Sequence, residues 1–328
     1  MLKPKVFVTR IIPEKGSRLV EDFCQADIWQ DELPPSHAEI LKRVGGVDGL
    51  LCLLTDQVDA EVMDAAGNGL RVISNHAVGF DNIDVPEATR RGIPVGNTPG
   101  ILTESTADFA FSLIGAAARR VVEGDRFVHS MKWKTWGPSL LLGTDLHHAT
   151  LGIVGYGRIG RALARRAVGF DMRVIYYDPE STSDIQQQNV PAEAVDLDTL
   201  LRESDFISIH TPLNNETRHM FNRGAFARMK SNAVLVNTAR GPVVEPAALY
   251  EALKYGQIAY AALDVTEPEP IPVDSPLLEL ENLVITPHIA SASRLTREKM
   301  ASMAAENLIA GLKGERLPYC VNPEIYPV

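Results

Sequence analysis

The sequence predicts an α/β protein with a doubly wound parallel sheet, and three observations predict it. Midway along the chain, Ala149-Thr150-Leu151-Gly152-Ile153-Val154-Gly155-Tyr156-Gly157-Arg158-Ile159-Gly160 reads as a buried strand that turns through spaced glycines into a helix. Short apolar, β-prone runs alternate with helical stretches on both sides of that turn. At 328 residues the chain exceeds one core of typical size, so about two domains are expected.

The first part of the chain supplies strands at Lys5 to Thr9, Gly49 to Thr55, Leu70 to His76 and Pro94 to Asn97, with helices between them, which makes a small α/β unit. A helix is expected from near Thr103, after the turn Thr98-Pro99-Gly100, to Arg119. Its apolar stretch, Phe109 to Ala118, is too short to span a bilayer, so no membrane partner is expected. From Arg120 to Thr150 the pattern is irregular and long for a connection, and it carries Trp133, Trp136 and Pro138. Two readings stay open for it: an arm that packs on a partner, or tryptophans sealing a joint between domains of one subunit.

The glycine turn comes next. Gly155 allows the tight turn, Gly157 lets backbone approach a pyrophosphate, and Gly160 lets the helix pack close to the sheet, while the helix N-terminus offers unpaired N–H groups to the anion. Ile159, Ala162, Leu163 and Ala167 recur behind it at helical spacing, and Arg173-Val174-Ile175-Tyr176-Tyr177-Asp178 follows as a second apolar strand ending in an acid. Asp178 stands 178 − 160 = 18 residues after the last glycine, where a carboxylate accepts hydrogen bonds from the adenine ribose. A carboxylate there repels a 2′-phosphate, so the expected cofactor is NAD rather than NADP. The competing readings are an ordinary glycine loop and a strand-end turn before Pro179; the strand–helix–strand context favours the nucleotide. Further strands at Phe206 to Ile209, Ala233 to Val236, Ile258 to Leu263 and Leu283 to Ile285 bring this sheet to about six, and a last helix is expected from about Thr296 to Gly311.

Composition excludes several classes. An apolar content of 45% with 23% charged residues is ordinary for a globular protein and argues against disorder. Thirty-two basic against forty-two acidic residues leave a net charge of −10, which opposes nucleic acid and anionic membrane surfaces as partners. Cys24, Cys52 and Cys320 form no metal-binding spacing, and their sparse, odd count points to a reducing, cytoplasmic compartment. The N-terminus runs straight into a strand pattern without a secretory apolar region.

In an open parallel sheet, ligands bind beyond the carboxyl ends of the strands. Those ends read His210-Thr211-Pro212-Leu213, Asn237-Thr238-Ala239-Arg240-Gly241, Asp264-Val265-Thr266-Glu267-Pro268-Glu269-Pro270 and Thr286-Pro287-His288. Reduction of a 2-oxo acid needs a cation for the carboxylate, an acid to protonate the carbonyl oxygen, and a group that keeps the acid charged. Arg240 suits the first, because its planar fork grips a carboxylate bidentately; His288 suits the second and Glu269 the third. Taken singly, Arg240 as a loop cap, Glu269 as an exposed turn acid and His288 as a helix-entry residue are equally ordinary; their joint placement on one sheet edge favours chemistry. His210, His219 and the His147-His148 pair read as structural or surface residues, with no companion ligands for a metal.

With these residues in hand, the chain resembles the D-2-hydroxyacid dehydrogenase family, in its glyoxylate/hydroxypyruvate reductase (glycerate dehydrogenase) branch. The motifs that carry the resemblance are Asn75-His76-Ala77-Val78-Gly79-Phe80-Asp81-Asn82-Ile83-Asp84, Gly96-Asn97-Thr98-Pro99-Gly100, Gly155 to Gly160, Asn237 to Gly241, and Pro287-His288-Ile289-Ala290-Ser291. They lie in the family's order and span essentially the whole length. Two departures stand out: Ala290 replaces the usual glycine, and Asp178-Pro179 stands where many reductases of the branch carry an arginine for NADPH.

The resemblance implies a flavodoxin-like substrate domain from residues 1–100 plus 288–328, an NAD-binding Rossmann domain from 101–287, and an active-site cleft between them. It implies that Arg240 holds the substrate carboxylate, that Glu269 pairs with His288, and that His288 donates the proton, with backbone N–H groups of Val78 and Gly79 adding substrate contacts. The glycines Gly155, Gly157 and Gly160, together with Thr106, Arg158, Ile159, Asp178, Thr211, Pro212, Thr238, Ala239 and Asp264, fall on positions that line NAD. It makes the Arg120 to Thr150 segment a dimerisation arm, hence a homodimer. The substrate expected is a small 2-oxo or 2-hydroxy acid, with no metal. The alternatives are a phosphoglycerate or phosphite type of dehydrogenase, or a non-catalytic NAD(H)-sensing module.

Overall fold

The structure is a computed structural model that describes residues 2–179 and 190–327. The chain divides into two compact units, Met1–Leu102 with Ala292–Val328, and Thr103–Ser291.

The first unit runs β1 (Lys5–Val8), α1 (Glu14–Phe23), β2 (Gln25–Ile28), α2 (His37–Arg43), β3 (Gly49–Cys52), α3 (Ala60–Ala66), β4 (Val72–Asn75), α4 (Val85–Arg90) and β5 (Val95–Gly96). Its five strands are parallel in the order β2-β1-β3-β4-β5, the flavodoxin-like winding. β3 and β4 are buried on both faces, as parallel strands must be when helices cover the sheet twice. The short helices are started by side chains: Ser36, Asp59 and Asp84 each accept the amide three residues on. β2 was not expected, because Gln25-Ala26-Asp27-Ile28 is a half-exposed edge that pairs with β1 alone and lacks an apolar run.

The second unit runs α5 (Thr103–Ala118), α6 (Val121–His129), β6 (Thr150–Val154), α7 (Arg158–Val168), β7 (Arg173–Tyr177), β8 (Ala192–Ala194), α8 (Leu197–Glu203), β9 (Phe206–Ile209), α9 (Arg223–Phe226), β10 (Val234–Asn237), α10 (Pro246–Lys254), β11 (Tyr260–Leu263) and β12 (Leu283–Ile285). All seven strands are parallel in the order β12-β11-β10-β9-β6-β7-β8, so the winding reverses between β6 and β9. Ligands bind at such a reversal. The seventh strand is β8, whose Ala192-Glu193-Ala194 is too short and polar to read as a strand. Apolar clusters fill both faces: α5 and α7 lie over Leu151, Phe206 and Val236, and α8 and α10 over Ile207, Leu235 and Ala261.

The last helix, α11 (Arg294–Lys313), covers the first unit's sheet opposite α2 and α3. Gly16 lets α1 meet it, since a Cβ there would lie 2.6 Å from the Cβ of Ala301. The segment after α5 differs from an irregular connection, because α6 occupies part of it with none of its residues buried. Trp133 and Trp136 are 59% and 77% exposed, so neither is sealed inside the subunit. Among the described residues no helix is long and apolar enough to cross a membrane, and no group of side chains is placed to hold a metal.

Candidate active site

The glycine turn sits at the reversal of the second unit's sheet. Gly155 has φ +90, and a Cβ there would come within 2.7 Å of the His210 carbonyl and the Thr211 nitrogen, so both handedness and space demand glycine. At Gly160 a Cβ would overlap the Gly155 carbonyl, which is the close helix approach. Gly157 is different: a Cβ there meets nothing within 4 Å. Its glycine keeps open a space that the protein itself does not use, just before the N-terminus of α7.

Asp178, one residue past β7, is drawn to this turn. Its Oδ2 accepts the Tyr156 N–H at 2.8 Å, fixing the carboxylate beside the glycines. Just past β10, the Thr238 hydroxyl is buried with no hydrogen-bond partner, an orphan that a ligand group can satisfy. The open space at Gly157, the acid at Asp178 and the orphan at Thr238 together fit a dinucleotide. Arg158 and Ile159 open α7, Thr106 is buried on α5, and Thr211, Pro212 and Ala239 follow β9 and β10.

Glu269, His288 and Arg240 are in the same unit. His288 Nδ1 lies 2.6 Å from Glu269 Oε1, so Nε2 is the ring nitrogen that this carboxylate does not engage. Burial works to raise the Glu269 carboxyl, but the His288 hydrogen bond and charge, the Thr266 N–H and the charge of Arg240 outweigh it and hold it below the usual glutamate value. Arg240 is therefore near enough to act on Glu269 electrostatically. Its loop is stapled by Asn237, whose amide donates to the Arg240 carbonyl at 2.8 Å and accepts the Ala239 N–H at 3.0 Å. Gly241 must be glycine because a Cβ would overlap the Thr266 carbonyl, which brings the Arg240 loop against the Glu269 loop.

His288 adopts φ +55, an uncommon conformation for a residue other than glycine. Asp264 holds it there. Its carboxylate, 1% exposed, accepts the Ile289 N–H at 2.9 Å, the Ala290 N–H at 2.7 Å and the Thr286 hydroxyl at 2.6 Å, and its carbonyl accepts the His288 N–H at 2.9 Å. The sequence placed Asp264 among cofactor-lining residues; the structure adds this grip on the turn, which no pattern in the sequence signals. Asn237 and Thr286 were likewise missed, although an Asn at a strand end followed by a tight turn is a recognisable Asx signal. Glu267, which the sequence left without a role, meets His219 at 2.6 Å and Arg218 at 2.8 Å. His210 lies 2.8 Å from the Ser208 hydroxyl.

Val78 and Gly79 belong to the first unit, in the loop after β4. Both are half-buried.

A family model described as D-isomer specific 2-hydroxyacid dehydrogenase, NAD binding domain, matches residues 111–290. The chain is 57% identical over 328 residues to a glyoxylate reductase of Korarchaeum cryptofilum, covering 100% of this chain and 98% of that protein. A crystal structure of a Thermus thermophilus protein superposes with a TM-score of 0.90 at 48% identity, covering 97% and 99% of the two chains. An NADPH-dependent glyoxylate/hydroxypyruvate reductase of Sinorhizobium meliloti, crystallised with NADP and malonate, superposes with a TM-score of 0.86 at 27% identity, covering 99% of each.

Proposed function

Because this chain belongs to the D-isomer specific 2-hydroxyacid dehydrogenase family, we propose that it is an NAD(H)-dependent reductase of glyoxylate and hydroxypyruvate, yielding glycolate and D-glycerate. The observation that carries this reading is the 2.6 Å contact of His288 with Glu269, under the charge of Arg240, in the unit that holds the glycine cradle. Bound at Gly157, Asp178 and Thr238, the nicotinamide cofactor supplies the hydride.

Arg240 holds the substrate carboxylate through its guanidinium fork, and the role proposed for Val78 and Gly79 is to supply backbone donors. His288 gives the Nε2 proton to the carbonyl oxygen as it gains negative charge. Glu269 fixes the ring through Nδ1. Asp264 keeps the His288 turn from relaxing. Asp178 favours NADH over NADPH, in contrast to the arginine of the NADPH branch.

Two finer assignments accompany this one. The exposed Met131, Trp133, Trp136 and Leu142 after α6 form an apolar arm suited to a second copy, hence a homodimer; sedimentation as a stable monomer refutes it. The three free thiols suit a reducing cytoplasm.

The test is consumption of NADH or NADPH with glyoxylate, hydroxypyruvate, pyruvate and phosphohydroxypyruvate in parallel. Silence with all four overturns the reading and leaves an NAD(H)-sensing role; preference for the phosphorylated acid moves the chain to the phosphoglycerate type, and NAD reduction by phosphite to the phosphite type. Arg240→Ala is expected to lower kcat/KM by about 10³, the loss of two charge-assisted hydrogen bonds. His288→Ala is expected to lower kcat by about 10² to 10⁴, the usual contribution of a general acid.

A further inference from the structure

The loop after β4 presents three successive amides, and each is set by something behind it. The carbonyl of Ala77 accepts the Thr98 N–H at 2.9 Å, that of Val78 accepts Asn97 Nδ2 at 2.8 Å, and that of Gly79 accepts Asn75 Nδ2 at 2.9 Å. In a trans peptide the carbonyl and the following N–H point in opposite directions. Clamping those carbonyls therefore turns the N–H groups of Val78, Gly79 and Phe80 the other way, and among the described residues none of these amides has a protein acceptor.

The clamps are themselves held. Asn75 and Asn307 are fully buried and Asn97 is 9% exposed. Asn75 also bonds Asn82 at 3.0 Å, whose own amide donates to the carbonyls of Leu53 and Asp56 at 3.0 Å each. Asn307, on α11, donates to the Asn97 carbonyl at 2.9 Å and accepts the Tyr319 N–H at 3.0 Å, while the Asn97 N–H reaches the Tyr319 carbonyl at 3.2 Å. A Cβ on Gly96 would lie 2.8 Å from Asn307, so glycine there lets the helix come this close. Asn307, a buried amide with both ends paired, is costly to leave half-satisfied and so keeps one geometry.

We propose that Asn75 and Asn97 are positioning residues that aim the Gly79 and Phe80 amides at the substrate carboxylate, with Asn307 locking Asn97 from α11. The proposal rests on the reductase reading above and extends it. It makes the Phe80 N–H a substrate contact alongside those of Val78 and Gly79, and it gives a buried helix residue a part in substrate affinity. Neither asparagine touches the reacting atoms; each acts through a carbonyl.

The test compares the unaltered enzyme with Asn97→Ala, Asn75→Ala, Asn307→Ala and the Asn97→Ala/Asn307→Ala double variant. The readouts are KM for glyoxylate, the inhibition constant of oxalate as an unreactive anion, KM for NADH, and kcat. Asn97→Ala and Asn75→Ala are each expected to raise glyoxylate KM and the oxalate constant roughly tenfold, the loss of one well-set donor, with kcat and NADH KM within about twofold. The double variant is expected to match Asn97→Ala, because Asn307 works through Asn97. Unchanged glyoxylate KM in Asn97→Ala, an equal loss in NADH affinity, or additive effects in the double variant overturns the proposal. Should Asn97→Ala lose its folded circular dichroism, Asn97→Ser, which keeps a hydroxyl donor, takes its place under the same criteria with a smaller rise. Inactivity of the unaltered enzyme on every 2-oxo acid strikes the reductase reading itself, whereas an active enzyme indifferent to these substitutions strikes only this one.

Discussion

Replacing Asp178 by asparagine isolates one charge at the cofactor site. Asp178 Oδ2 accepts the Tyr156 N–H at 2.8 Å, and asparagine keeps an acceptor for that bond, so the glycine turn stays in place. What changes is the field met by the adenine ribose. A 2′-phosphate carrying nearly two charges at about 5 Å from the carboxylate, at an effective dielectric of about 40–80, is repelled by about 2–3 kcal/mol, or roughly 30- to 150-fold. NADH loses charge-assisted bonds from its ribose hydroxyls and keeps weaker neutral ones, at about 1 kcal/mol, or roughly fivefold. The ratio of kcat/KM for NADH over NADPH is therefore expected to fall by about 10² to 10³ in Asp178→Asn. Initial rates with saturating glyoxylate and varied nucleotide measure it, and added salt should narrow the discrimination of the unaltered enzyme, because exposed charges are screened. A ratio that moves less than about fivefold would show that the carboxylate does not select the cofactor, and the electrostatic reasoning fails with it.

Gly157→Ala places its Cβ in open space and is expected to leave thermal stability unchanged while raising NADH KM, whereas Gly160→Ala meets the Gly155 carbonyl and is expected to cost about 1–3 kcal/mol of stability. Melting temperature and NADH KM of the two variants check this, and equal behaviour refutes it. His76 is 4% exposed, and burial, then the charge of Arg297, lower it from 6.5 to about 4. The unfolded chain thus takes up the proton first as pH falls below 6.5, so stability declines between pH 6.5 and about 4, by about 3 kcal/mol in full. Urea unfolding of His76→Leu across that window is expected to be flatter than that of the unaltered protein; parallel curves count against it. Glu269 is depressed, so its contribution is present above the ordinary glutamate range and lost as pH falls through the lowered value. Glu269→Gln is expected to remove that acid-side loss from the melting curve, and an unaltered acid limb counts against the pairing.

The sheets were legible because their central strands are continuous apolar runs, such as Gly49 to Cys52 and Val234 to Asn237, buried on both faces. One edge of each sheet was not: β2 and β8 carry half-exposed or polar side chains, whereas the opposite edges β5 and β12 keep buried apolar residues. Within the candidate site, the pairing of Glu269 with His288 was readable because few other needs put an acid and an imidazole at adjoining strand ends. The groups that hold them were not readable. Asp264 acts through amides two chain segments away, and Asn97 through a carbonyl on another loop, so their partners are set by tertiary closure rather than by local spacing. A positive φ at His288 leaves no mark in the sequence, since histidine carries none of glycine's signature.

A net charge of −10 sets a problem for an enzyme whose proposed substrate and cofactor are both anions. At physiological salt the field of distant carboxylates fades over about 8 Å, so capture depends on what lies within that radius. The second unit offers Arg240 and the α7 N-terminus, and the first unit, taken by itself, offers clamped amides after β4. Amides add donors without adding a mobile charge, and their carbonyls are already paired, so no reorganisation is needed when the anion arrives. The two acids that meet His288 and its turn are each committed: Glu269 to His288, Asp264 to the amides of Ile289 and Ala290. Their negative charge is spent on holding one imidazole and its turn, which is why a locally acidic site remains suited to a carboxylate ligand.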